Sequence, residues 1–371
     1  MKKNKLLIAI GAAVLIGLVS LLAYKSQNHS ASDGVIRIGV ILPLSGDWGQ
    51  FGQRMLNGIL LWEAEHPEAH IKLYIEDGQG NASKSAIAFS KLVNVDKITA
   101  CISGVSPVIL AIAPLADKAK VFTVNAGATN PDIKKASDYV FTIIPDAEIE
   151  ARFIATFVYK QLGFKECYVL WKNDDSGLGM LNCFAEEFTL HGGEILGNDA
   201  ILSLDSIRNS LEKIKEKGAK VVFVPTNGEM VAKIIKQAYM MGMKDIQWVG
   251  YAATESPELL RDLAGLEDVR LMFSSYAFNA IDAFSEKSTN FIKRYQKKYN
   301  ETPAYYSATC YDAIDIIYKA MESEKCDIKS AVQNFEKYAG VSGNFDIAGN
   351  YVSSGMTIKY MGSGEIRTLA K

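Results

Sequence analysis

The sequence predicts an α/β protein of two Rossmann-like lobes, joined by a three-crossing hinge and led by an apolar export or anchor helix. Three observations carry the prediction. Short apolar runs alternate with helical patterns in two successive series, the signature of parallel sheets covered by helices. About 337 residues follow the N-terminal segment, more than one hydrophobic core usually serves. Lys2, Lys3 and Lys5 precede an apolar run of 19 residues from Leu6 to Tyr24, closed by Lys25.

That run is close to the ~20 residues that span a bilayer as a helix. Ala23, with Leu21 two before it, is a weak cleavage site, and no Cys follows for lipid attachment. A cleaved signal and a retained anchor over residues 6–24 both stay open. Ser26 to Gly34 is a polar linker. Lysines before the run keep that end cytoplasmic, so the bulk of the chain is expected to be exported, in the periplasm or on the extracellular face of the membrane.

Residues 1–34 hold four lysines against Asp33, a net of +3; with −2 for the whole chain, the remainder carries −5. A mildly acidic body without a basic tract argues against a nucleic-acid partner. The five cysteines, Cys101, Cys167, Cys183, Cys310 and Cys326, are odd in number and none has a metal-like Cys-x-x-Cys spacing. Cys101 and Cys167 lie in apolar runs and read as small hydrophobes, so no obligatory disulfide is expected.

The first series opens with a strand from Val35 to Leu44 and a turn at Ser45-Gly46-Asp47. Phe51, Met55, Ile59 and Trp62 then recur at helical spacing. Trp48 and Phe51 fall beyond the carboxyl end of the strand, where α/β sheets gather ligands. Strands follow at 71–75, 98–102 and 121–124, with helices at 83–93 and 108–118 between them. An apolar run from Tyr139 breaks at Pro145-Asp146, a first crossing. The second series has a helix at 151–162, a strand at 166–171, a helix from the 173–179 loop to His191, then a strand at 220–224, a helix at 229–241 and a strand at 247–249. Arg270 to Ala277 returns toward the first lobe, and Tyr306 to Met321 is a long amphipathic helix. A third crossing is expected near Asn344. The domains are therefore 1–34, leader and linker; 35–146 with 277–344, the first lobe; and 147–276 with 345–371, the second.

No catalytic constellation emerges. His66 and His70 stand four apart, but Pro67 lies between them at what reads as a helix end. Gly177-Leu178-Gly179 lacks the third glycine of a dinucleotide loop, and there is neither a nucleophile elbow nor a P-loop. Asp174-Asp175 reads as a solvated or helix-capping pair. The expectation is a non-enzyme with no cofactor and no metal.

Leu42-Pro43-Leu44-Ser45-Gly46 and Phe51-Gly52 resemble the opening of the type I periplasmic binding proteins, in the branch that binds leucine, isoleucine and valine for ABC importers. The likeness continues in order to about Thr368. By themselves, Gly127-Ala128-Thr129-Asn130-Pro131 is a turn and Ser106 a helix cap. The resemblance implies instead that Ser106, Gly127, Ala128 and Thr129 cradle a ligand carboxylate through hydroxyls and backbone N–H groups. It also places Ser176, Asn227, Tyr251 and Ala252 in the same cleft. Three departures bear on the ligand. Ser176 stands where relatives supply a tyrosine, Thr226-Asn227 where they commonly supply another aromatic, and Ala252 where they carry an acid that pairs the ligand ammonium. Either Asp174, Asp175 or Glu255 substitutes, or the ligand has no ammonium. The implied function is capture of a small carboxylate-bearing ligand, an amino acid or related compound, with ABC permease subunits as partners and the membrane as a further one if the leader is retained. The alternative is an anchored ligand-sensing receptor domain acting through another protein.

Overall fold

Alternating burial builds both sheets. In β1 (Ile36–Leu42), Ile38, Val40 and Leu42 enter one core and Ile41 another. In β6 (Glu166–Lys172), Tyr168 and Leu170 face one way, Cys167 and Val169 the other. Parallel strands covered on both faces read as continuous apolar runs, which is why these segments were legible. The computed structural model describes residues 35–202, 204–255, 257–266, 268–278, 283–323, 327–352, 356–362 and 365–369. The leader and linker, and Cys326, lie outside the described residues. Among those described, no helix is long and apolar enough to cross a membrane.

The first sheet combines β1 with β2 (Ile71–Asp77), β3 (Ala100–Ser103), β4 (Phe122–Asn125) and β5 (Val140–Thr142). It is extended by β11 (Lys337–Ala339), β12 (Asn344–Ala348) and β13 (Tyr351–Val352), in the order β11-β12-β13-β5-β4-β3-β1-β2. The second sheet repeats the design with β6, β7 (Glu194–Ile201), β8 (Val221–Phe223), β9 (Gln247–Gly250) and β10 (Leu271–Tyr276). It closes with β14 (Met356–Gly362) and β15 (Glu365–Thr368), in the order β15-β14-β10-β9-β8-β6-β7. In each sheet the first strand of the series lies between the second and third, and the strands of the series pair in parallel. Each lobe thus has a topological switch point, and the crevice beyond the carboxyl ends of its strands is the natural ligand site.

The chain leaves the first sheet after β5. Ile143 and Ile144 still pack in the first lobe, and Asp146 caps α5 (Ala147–Thr156) of the second through the Ile149 N–H at 2.9 Å. It returns between Tyr276, the end of β10, and Phe278, which packs against Phe291 in the first core. The third crossing departs from expectation. β12 forms an antiparallel hairpin with β11, and β13 pairs with β5, so residues 344–352 belong to the first sheet and the chain crosses after Val352. Phe345 explains the difference: it is 2 % exposed in the first core, and burying it there holds β12 on that side.

Two elements between His191 and Lys220 were not anticipated: the edge strand β7 and α7 (Leu204–Glu216). α10 (Glu286–Tyr299), which packs Phe291, Ile292 and Tyr295 into the first core, is a further addition. The helices bordering the cleft hold their place by close contact. α1 (Gly49–Glu65) crosses α11 (Tyr305–Glu322) at Gly58, where an added Cβ would stand 2.0 Å from the Ser307 carbonyl oxygen. That approach brings the first turn of α11, with Tyr305 and Tyr306, to the mouth between the lobes. Cys101, Cys167 and Cys310 are fully buried free thiols. Burial pushes the Cys101 and Cys167 thiols up to about 12, so both behave as small apolar groups.

Candidate functional site

A cavity of about 480 Å³ opens between the two lobes. Its first-lobe wall is Thr129 in the loop after β4, with Phe278, Pro303, Tyr305 and Tyr306. Its second-lobe wall comes from four places: Ala147 and Glu150 in the first turn of α5; Ser176 in the first turn of α6 (Asp175–Leu190); Tyr251 to Ala253 and Glu255 after β9; and Ser275 and Tyr276 at the end of β10, with Lys359 beside them on β14. All but Lys359, which lies mid-strand on β14, are at carboxyl ends of strands, amino ends of helices or crossings, as the switch-point geometry requires.

Of the residues expected to bind ligand, Thr129, Ser176, Tyr251 and Ala252 line this cavity. Phe51 stands one ring behind the wall, 4.9 Å edge-on from Tyr306, and Trp48 lies a further 5.7 Å out, 56 % exposed at the rim. Ser106 is the first residue of α3 (Ser106–Ala119), whose cap position is Val105, so it is not the helix cap, and it does not reach the cavity wall. Asn227 is also off the wall; its side chain caps α8 (Gly228–Met240) by accepting from the Met230 N–H at 3.0 Å. Asp174 caps α6 through the Gly177 N–H and pairs with Lys172. Those bonds hold its carboxyl below the usual carboxylate range against the opposing pull of partial burial.

The backbone donors expected of Gly127 and Ala128 are already engaged. Both N–H groups donate to Asn125 Oδ1, at 3.3 Å and 2.8 Å, and Asn125 Nδ2 returns a bond to the Ala128 carbonyl. Ala128 is 2 % exposed and packs into the core behind the sheet. Glycine at 127 serves a close approach between loops: a Cβ there would stand 2.6 Å from the Gly104 carbonyl oxygen. The carboxylate cradle inferred from the resemblance is reduced, at the cavity wall, to Thr129.

Three charged residues at the wall were not anticipated in their present roles. Glu150 is 4 % exposed, and its Oε1 accepts from the Ala252 N–H at 2.8 Å and from Ser274 Oγ at 2.5 Å. Both bonds fall on Oε1; Oε2 has no hydrogen bond among the described residues. Burial raises the Glu150 carboxyl to about 7, with the nearby Asp146 adding to the rise and the two hydrogen bonds opposing it. On the other face of the sheet edge, Lys359 Nζ lies 2.7 Å from both oxygens of Glu255, and Ser275 Oγ donates to Glu255 Oε2 at 3.1 Å. The Lys359 side chain is 3 % exposed and that of Glu255 36 %.

Aromatic rings form the remaining surface. Tyr276 and Tyr305 stack at 4.0 Å with an interplanar angle of 3°, joining the end of β10 to the first turn of α11, and Tyr306 lies edge-on at 5.5 Å. Burial pushes the hydroxyls of Tyr251, Tyr276 and Tyr305 well above the ordinary phenol range, so all three stay neutral. Tyr305 Oη is buried without a hydrogen bond among the described residues. No group of three or more His, Cys, Asp or Glu among the described residues is placed to hold a metal. His66 stacks on Trp62 at 4.0 Å and bonds the Trp62 carbonyl, a helix-end role.

The model of one protein family, described as periplasmic binding protein, matches residues 35–357. A "Leu/Ile/Val-binding protein homolog 6" of Brucella suis is 24% identical over 336 residues, covering 86% of this chain and 84% of its own. Among solved structures, the branched-chain amino acid transporter substrate binding protein LivJ of Streptococcus pneumoniae, in complex with isoleucine, superposes with a TM-score of 0.72 at 24% identity, over 90% of this chain and 99% of that one. A solute binding protein of an ABC transporter from Rhodopseudomonas palustris, in complex with 3,4-dihydroxybenzoic acid, gives 0.71 at 22% identity, over 91% and 97%.

Proposed function

Because the chain belongs to the type I periplasmic binding proteins, in the leucine/isoleucine/valine-binding family, we propose that it captures a small α-amino acid-like ligand between its lobes for an ABC importer. The family consists of solute-binding proteins rather than enzymes and implies a place outside the cytoplasm. One observation supports an ammonium-bearing ligand. The position where relatives carry their ammonium-pairing acid is Ala252 here, yet the Ala252 N–H holds a carboxylate, that of Glu150, at 2.8 Å. The acid has moved from the loop after β9 to the first turn of α5, and its carboxylate still lies beside the same loop. A buried ammonium needs such a partner, since an unpaired ion in a protein interior costs several kcal/mol. Tyr251, Tyr276, Tyr305 and Tyr306 line the same cavity, and a ring face open to the ligand would add cation–π stabilisation. The ligand carboxylate falls to the Thr129 hydroxyl, with Ser106 beyond the wall. Permease subunits are the proposed partners.

The test is calorimetric titration of α-amino acids against their des-amino counterparts, with Glu150→Gln as the variant. α-Amino acids should bind, des-amino acids should bind far more weakly, and Glu150→Gln should remove the difference. Equal binding of both series to the wild-type protein would overturn the reading.

A further inference from the structure

The Glu255–Lys359 pair is not needed for the ammonium or the carboxylate of the ligand. Ser274, which serves Glu150, and Ser275, which serves Glu255, are adjacent on β10 and point to opposite faces of the strand. Glu150 therefore meets the cavity from one side of the sheet edge and the Glu255–Lys359 pair from the other. A ligand with its ammonium at Glu150 extends its remaining atoms along the wall toward that pair.

Lys359 has three N–H donors, of which Glu255 takes two at 2.7 Å; the third has no partner among the described residues. Among the described residues Glu255 Oε1 accepts from Lys359 only, and its side chain, 36 % exposed, lines the cavity. The pair thus offers one charge-assisted donor and one charge-assisted acceptor, side by side, with no net charge. We infer that this pair reads a neutral group that both accepts and donates at the far end of the ligand, a terminal carboxamide. The inference rests on the α-amino acid reading for the direction of the ligand. An acidic end would stand beside Glu255 as well as Lys359, and a cationic end would meet Lys359. An apolar end would strip water from both groups and return no hydrogen bond, the penalty by which polar sites reject analogues lacking the matching group. Tyr305 Oη, buried and without a hydrogen bond among the described residues, supplies a further hydroxyl at the same wall.

The experiment is calorimetric titration of the full-length protein with six probes. Three share the α-amino group and differ at the far end: glutamine, glutamate and methionine. Three are their des-amino counterparts: 4-carbamoylbutanoate, glutarate and 4-(methylthio)butanoate. Differences along the side-chain axis test the carboxamide; differences along the amino axis test the function proposed above. Glutamine should bind at least tenfold more tightly than glutamate and methionine. The double variant Glu255→Leu/Lys359→Met, checked for a retained thermal transition, should weaken glutamine at least tenfold and strengthen methionine. If 4-carbamoylbutanoate binds as well as glutamine while the acid and thioether fail, the carboxamide stands and the ammonium reading falls. Methionine or glutamate binding the wild type as tightly as glutamine overturns the carboxamide alone. Failure of all six overturns both.

Discussion

If the ligand carries an ammonium, as proposed, Glu150 should make its capture pH-dependent, with a sign fixed by the burial of the carboxyl. Its carboxyl is raised from 4.5 to about 7, chiefly by desolvation, so near neutrality the free protein divides between protonated and ionised forms. Only the ionised form pairs an ammonium. With a folded value of about 7, roughly 3 % of the free protein is ionised at pH 5.5, and apparent affinity there falls about thirtyfold below its alkaline plateau. Each binding event at low pH releases close to one proton. Titration in phosphate and in imidazole at pH 6, two buffers that differ in ionisation enthalpy, measures that release through the difference in apparent enthalpy. Stability runs the opposite way. A folded value above the unfolded one means that protonated Glu150 favours the folded state, fully below about 4.5, and that this contribution is lost as pH rises toward 7, by roughly 3 kcal/mol in total. The groups that share its surroundings are Asp146, Tyr251, Tyr276, Tyr305 and Tyr306, of which the tyrosines are neutral across this range. Asp312, raised to about 6, titrates nearby in pH, but it lies in the first lobe and bonds Tyr338, Val341 and Ser342, away from the cavity. Glu150→Gln therefore separates the two, flattening the pH dependence of affinity and leaving the Asp312 contribution to stability. An affinity constant from pH 5.5 to 8.5 in the wild type would refute the reasoning.

Four further outcomes follow from the geometry. Thr129→Val removes a hydroxyl from the cavity wall and should weaken binding about ten- to a hundredfold, while Ser106→Ala, off the wall, should change it less than about threefold by the same titration. Returning the acid to the loop, Glu150→Ala with Ala252→Glu, should recover binding lost in Glu150→Ala; no recovery would show that the acid's location in α5 matters and not only its charge. Asp312→Ala leaves buried backbone donors at Val341 and Ser342 unmet and should cost about 2–6 kcal/mol in urea unfolding, at about 1–3 for each buried donor, more than Asp312→Asn. Ligand should also close the lobes, read as a smaller radius of gyration in small-angle scattering, with no change counting against a hinge.

Much of the fold was legible because parallel strands buried on both faces leave continuous apolar runs, and their helices keep a regular stripe. β7 escaped because it is an edge strand with Gly197, Asn198 and Asp199 in its middle, where no alternation survives. α7 carried a usable signal in Ile207, Leu211 and Ile214, all buried on one face. At the site, strand-end loops marked Thr129, Ser176, Tyr251 and Ala252. Gly127 and Ala128 misled because Asn125, an ordinary strand residue in sequence, folds back on their N–H groups. Glu150 fell just before the helix expected at 151–162 and was not marked, yet it lies on the same stripe as Ala147, Ala151 and Ile154, and an acid on a buried stripe is a signal in its own right. Lys359 shares a face of β14 with Met361, which is buried in the second core, so its register alone marks a lysine turned inward.

If Glu150 takes the ligand ammonium, as proposed, its place in α5 changes what a ligand acts upon. An acid in the loop after β9 would belong to the second lobe alone. Glu150 instead lies one turn after Asp146, where the first crossing enters the second lobe, and it accepts from Ser274, two residues before Tyr276 at the second crossing. The Ala147 N–H, in the same turn of α5, donates to the Thr129 carbonyl of the first lobe at 3.1 Å. One carboxylate is therefore tied to both crossings, one turn of helix from a hydrogen bond that spans the lobes. An ammonium on Glu150 and a carboxylate on Thr129 would load the two ends of that connection at once. Ionisation of Glu150 and closure of the lobes then become coupled parts of a single binding step, because hinges absorb their motion in the few residues where elements end.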